Sequence, residues 1–118
     1  MEEKEFSVQA YLTDLQILKQ TAEQIKKDFA FFSLEISFSG KKEEAYAELF
    51  NRIYPHLKKL MDSDYEKFFS LLYRVDISEK QIAKEQAANK NEEPAKIISD
   101  LIIKRCLQKV ILRKFYSK

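Results

Sequence analysis

Cys106 and His56 are the only cysteine and histidine in the 118-residue chain, so a thiolate nucleophile activated by imidazole would have to combine these two. That chemistry also needs a third group to orient the base, and neither flanking segment supplies one. Cys106 stands inside IIKRCLQKVIL, an apolar stretch in which a thiol is ordinarily buried and inert. His56 follows Pro55 with no second His and no Cys-x-x-Cys at ligand spacing, which leaves a metal without a donor set. The carboxylate pairs Glu43 with Glu44 and Glu92 with Glu93 flank expected helix starts, where the helix dipole accounts for them. Asp62, Asp64 and Glu66 read as capping chemistry in the same way. With Gly40 as the single glycine, a glycine-rich phosphate loop is excluded. The expectation is a non-enzymatic protein with no catalytic, cofactor-binding or metal-ligating residues.

Anion binding is the other chemistry within reach. Residues 95–118 carry seven Lys or Arg against Asp100 alone, net +6; the whole chain is +2, so residues 1–94 sum to −4. Arg105, Lys109 and Arg113 stand in i, i+4 register, and Lys104, Lys114 and Lys118 extend the basic segment. Such a row can neutralise a few phosphates. No turn-linked recognition helix, zinc site or set of base-reading polar residues accompanies it. The same residues also complement the dipole at a helix C-terminus and solvate a helix whose other faces are buried. An acidic protein surface is a further candidate partner.

The elements that would position these residues are helical. Apolar residues make up 45% and charged residues 34%, with one Gly and two Pro, so the turn chemistry of a multi-stranded sheet is missing. An all-α, compact bundle of four or five helices is expected, in a single domain spanning 1–118, with helices over about 6–37, 42–61, 64–75, 79–88 and 94–116. Ser63 with Glu66 and Ser78 with Gln81 make capping boxes, with Ile77 as a staple and Asp76 offering its carboxylate to backbone donors. Pro55 predicts a kink or two short helices meeting near Tyr54, and Pro94 predicts the first position of the last helix. That last helix is apolar over so wide an arc that it should be central or covered by a second subunit.

The N-terminal pattern Val8, Tyr11, Leu15, Leu18, Ala22, Ile25, Phe29, Phe32, Ile36 steps by 3 and 4 alternately, a heptad seam of roughly 40 Å at about 1.5 Å per residue. Within SLEISFSG, Leu34, Ile36 and Phe38 alternate with polar residues as a strand would; with no second alternating segment to pair, a helix fraying toward Gly40 is preferred. Phe29, Phe31 and Phe32 cover more than one side of a helix, as do Phe68 and Phe69, so some rings should lie outside a monomer's core. Homo-oligomerisation through Val8, Tyr11, Leu15, Leu18, Ile25, Phe29 and Phe32 is the expected destination.

LLYRVDISEKQI, followed after a polar gap by IISDLIIKRCLQKV, resembles a family of small all-helical bacterial proteins of similar length with no assigned activity. The resemblance covers roughly the second half of the chain, implies an all-α fold and carries no site residues. The acidic start MEEKEF, the lone cysteine and the lack of an apolar run of about 18 to 20 residues predict a soluble, cytoplasmic protein. The functional expectation is a self-associating helical interaction or structural module. The alternative is a small nucleic-acid-associated protein binding phosphates through Lys104, Arg105, Lys109, Arg113, Lys114 and Lys118.

Overall fold

In the computed structural model, which describes residues 14–116, the chain forms α1 (Leu15–Ala30), a 3-10 turn (Lys42–Glu44), α2 (Ala45–Ser63), α3 (Tyr65–Val75), α4 (Glu79–Ala88) and α5 (Pro94–Tyr116). All five α-helices belong to one bundle, and no strand occurs among the described residues. None of the described helices is long and apolar enough to cross a membrane.

The last helix organises the bundle. Isoleucines and leucines recur on all sides of α5, and Ala95, Ile98, Ile102, Ile103, Cys106, Leu107 and Ile111 are each buried. Its first half lies against α2 and its second half against α1. Helix α2 runs antiparallel to it, with Tyr54 and Tyr46 meeting Glu93 and Asp100, while α1 meets it through Gln24 with Arg113 and Ile17 with the Leu107, Val110, Ile111 group. The wide apolar arc is thus covered from within the chain.

The first helix ends earlier than its periodicity predicts. Leu34 N–H donates to the Phe29 carbonyl at 3.0 Å and Ser33 N–H to the Ala30 carbonyl at 2.9 Å, with Ser33 at φ 63°, which is the geometry of a Schellman stop. A serine holds the left-handed position usually given to glycine, so the sequence carries no glycine signal there. The expected helix over 31–37 is therefore corrected to a turn followed by extended chain. Residues 6–13 of that helix, with Val8 and Tyr11, lie outside the described residues.

Beyond the stop, the strand-like alternation of SLEISFSG survives without a strand. Ile36 is buried and Leu34 and Phe38 pack on the core, whereas Ser33, Glu35, Ser37 and Ser39 face solvent. Side chains of α2 replace a partner strand: His56 Nε2 donates to the Glu35 carbonyl at 2.8 Å, and Glu48 accepts from Ser39 N–H and Oγ, both at 2.8 Å. A backbone that must satisfy its polar groups can do so with side chains when no second strand exists.

Other boundaries show what decides them. Helix α2 is continuous across Pro55, so two short helices do not form; Pro55 and Asn51, whose carbonyl loses its usual donor, both lie on the exposed side. Asp64, not Ser63, caps α3 by accepting from Lys67 N–H at 3.1 Å, while the Ser63 hydroxyl donates back to the Lys59 carbonyl. Ser78 caps α4 through Gln81 N–H at 3.0 Å, and Ile77 is buried beside it. Asp76 offers nothing to backbone donors. It occupies the left-handed position (φ 75°) of a second Schellman stop, closed by Ile77 N–H to the Leu72 carbonyl at 3.0 Å, and its carboxylate binds Arg105.

Candidate functional site

The two residues that could have formed a nucleophile and base are put to other uses. Cys106 is fully buried, and burial first, with the Asp28 carboxylate second, pushes its thiol up to about 12, far from the range of a thiolate nucleophile. His56 is held by Glu35 and sits beside the Phe29 ring, centroids 6.1 Å apart. No described group of three or more His, Cys, Asp or Glu is gathered to hold a metal.

Polar side chains form pins between helices, and of those involved Asp28 is the buried one. Asp28 of α1, 3% exposed, accepts from Arg74 Nε of α3 at 3.1 Å and from Gln24 Nε2 at 3.2 Å on both oxygens. Arg113 of α5 donates to Gln24 Oε1 at 2.9 Å, which extends the chain of contacts to a third helix. Two tyrosines on one face of α2 pin the acids of α5: Tyr46 donates to Asp100, and Tyr54 reaches both Glu93 oxygens at 2.7 Å, with Lys58 at 2.9 Å from the same carboxylate. Burial, then Asp100, raises the Tyr46 hydroxyl well above its ordinary value; the hydrogen bond to Glu93 raises that of Tyr54.

These pins make stability depend on pH. Lys58 first and Tyr54 second hold Glu93 below the ordinary 4.5, and Arg105 holds Asp76 below 3.8. A depressed carboxylate contributes stability that is present above its unfolded value and lost as the pH falls through the folded one. Thermal stability is expected to be level from neutral pH down to about 5 and to fall below about 4, and Glu93→Gln should flatten part of that fall. Melting curves followed by circular dichroism across this range check it; a Glu93→Gln profile parallel to wild type would show that this pin carries no linkage.

The surface holds two features with the character of binding sites. The first is aromatic. On α3, Phe68, Leu71, Leu72 and Val75 enter the core, while Tyr65, Phe69 and Tyr73, spaced i, i+4, i+8, form a second stripe facing out at 56%, 39% and 88% exposure. Phe31, 67% exposed, joins this face under the guanidinium of Arg74, 4.2 Å from the ring centroid. Between the α1 end and α3 lies a groove of about 1040 Å³ bordered by Phe31, Phe32, Phe69 and Tyr73, with Glu66 and Glu79 on its rim.

The second feature is a basic cleft of about 790 Å³ where α1 and the end of α5 run side by side. Lys19, Lys26 and Lys27 of α1 face Arg113 and Lys114 of α5 across it, with Glu23 as the one acid. The basic row expected along α5 is divided: Lys104 pairs with Asp100 at 2.9 Å and Arg105 with Asp76 at 2.6 Å, whereas Arg113 and Lys114 line the cleft and Lys109 lines an adjoining hollow. Lys118 lies outside the described residues. The α1 lysines were missed because their side of the site depends on which helix packs beside α5.

Of the described seam residues, Leu18, Ala22, Ile25, Phe29 and Ile36 are buried. Leu18, Ile25 and Phe29 are buried at 1% exposure or less, the last two in the core shared with α2, α3 and α5; Phe32 is half-buried, and Leu15 is 37% exposed. Leu18, Ile25 and Phe29 cannot meet a second copy without the bundle opening. The rings left over lie elsewhere, with Phe69 and Phe31 outside while Phe68 and Phe29 are inside.

No protein-family model matches the chain, and neither does any curated protein or solved structure.

Proposed function

We propose that the protein is a non-enzymatic helical interaction module that self-associates through the outward stripe of α3. The observation carrying this reading is that α3 carries two apolar stripes roughly a third of a turn apart, one buried in the chain's own core and the other, Tyr65, Phe69 and Tyr73, turned to solvent. Aromatic rings at i, i+4, i+8 spacing form a ridge about 12 Å long that two copies can interdigitate in a two-fold pair. Phe31 extends the same face, and Glu66 and Glu79 give it a polar rim. Apolar centre and polar rim are the anatomy of a specific interface.

The test uses Phe69→Asp with Tyr73→Asp. Both side chains are exposed on α3, so the fold should survive, and wild-type dimer should become monomer in light scattering at equal concentration. A double variant with the wild-type mass and an unchanged circular dichroism spectrum would remove α3 from the interface.

A further inference from the structure

We propose that the cleft between α1 and the C-terminal half of α5 binds single-stranded nucleic acid, with phosphates along Lys19, Lys27, Arg113 and Lys114 and a base stacked on Tyr116. The first argument is charge and shape together. Five cationic side chains converge on a concave cleft from two neighbouring helices against one carboxylate, Glu23, which Lys26 engages at 3.4 Å. Lys19, Lys27, Lys109 and Lys114 make no ion pair among the described residues, and Arg113 spends one donor on the neutral Gln24. Their charge is thus open to an anion, unlike that of Lys104 and Arg105, which acids of this chain already hold.

The second argument is the aromatic ring. Tyr116, 74% exposed, borders an adjoining hollow with Lys109, Leu112 and Arg113, so a flat ring stands directly beside the cationic row. A groove that tracks a backbone by charge and offers a ring for stacking is the design by which proteins hold single strands. An acidic peptide would satisfy the charges and leave the ring unused. A duplex is disfavoured by shape: α1 and α5 are embedded along the bundle by Ile17, Leu107, Val110 and Ile111, so neither projects to enter a groove.

Fluorescence anisotropy with a labelled oligothymidylate of about twelve nucleotides, a duplex of the same length and polyglutamate as competitor tests this on the full chain. With about four phosphates neutralised, affinity for the single strand should fall about 50-fold between roughly 50 and 200 mM salt. Lys27→Glu combined with Lys114→Glu, both exposed, should lower affinity more than about tenfold with an unchanged melting temperature. Tyr116→Ala should weaken binding about fivefold or more while leaving the salt dependence intact. No binding at low salt overturns the proposal. So does binding indifferent to the double variant, equal affinity for the duplex, or competition by polyglutamate at equal charge.

Discussion

Arg74→Met is expected to lower the unfolding free energy by about 2 to 3 kcal/mol, because it strips a buried carboxylate of its cation. Asp28 is almost wholly enclosed, and its remaining donor would be the neutral amide of Gln24. Breaking a fully buried pair costs about 3 to 5 kcal/mol, but the Arg74 side chain is 33% exposed, so solvent screens part of the loss. Contact with Phe31 is lost in the same variant and adds a small amount. Asp28→Asn combined with Arg74→Met should cost less than the two single changes summed, by about 1 to 2 kcal/mol, since no charge is then left buried alone. Urea unfolding of the four proteins measures this, and additive single effects would mean that the two side chains are not coupled.

Phe29→Ala is expected to cost about 3 to 5 kcal/mol, the largest effect of any single change considered. Phe29 is a large, fully buried side chain at the point where α1, the extended segment and His56 of α2 meet. Its carbonyl also receives the Leu34 N–H that closes the α1 stop, so a cavity here loosens the turn as well as the core. Because Phe29 packs within its own chain, the loss should be the same at low and high protein concentration. A midpoint that depends on concentration in wild type and not in the variant would instead place Phe29 between chains.

What the sequence reveals divides along the range of the interactions. The starts of α3, α4 and α5 carry short-range signals, because Asp64, Ser78 and the leading Pro94 act over three or four residues. The α1 stop was not legible, because Ser33 and not a glycine adopts the left-handed turn and the 3-4 pattern runs on past it into an extended segment. Periodicity there reports burial correctly and backbone form wrongly: Ile36 is in the core by a period of two, not of 3.5.

The candidate surfaces followed the same division. Surplus rings were visible as a count, since neighbours such as Phe68 and Phe69 stand about 100° apart around one helix. Which side was already covered depended on α1 and α5 filling the core, a long-range fact that spacing alone does not encode. Likewise the charge on α5 was plain, yet the capture of Lys104 by Asp100 and of Arg105 by Asp76, and the arrival of Lys19 and Lys27 from α1, required the packing of helices.

Sedimentation equilibrium of the wild-type protein over a hundredfold range of concentration, at low and high salt after nuclease treatment, tests the central claim most directly. A monomer–dimer equilibrium that persists at high salt is the predicted result, since burial of the Tyr65, Phe69 and Tyr73 stripe is not screened by ions. A monomer at every concentration would contradict self-association through α3.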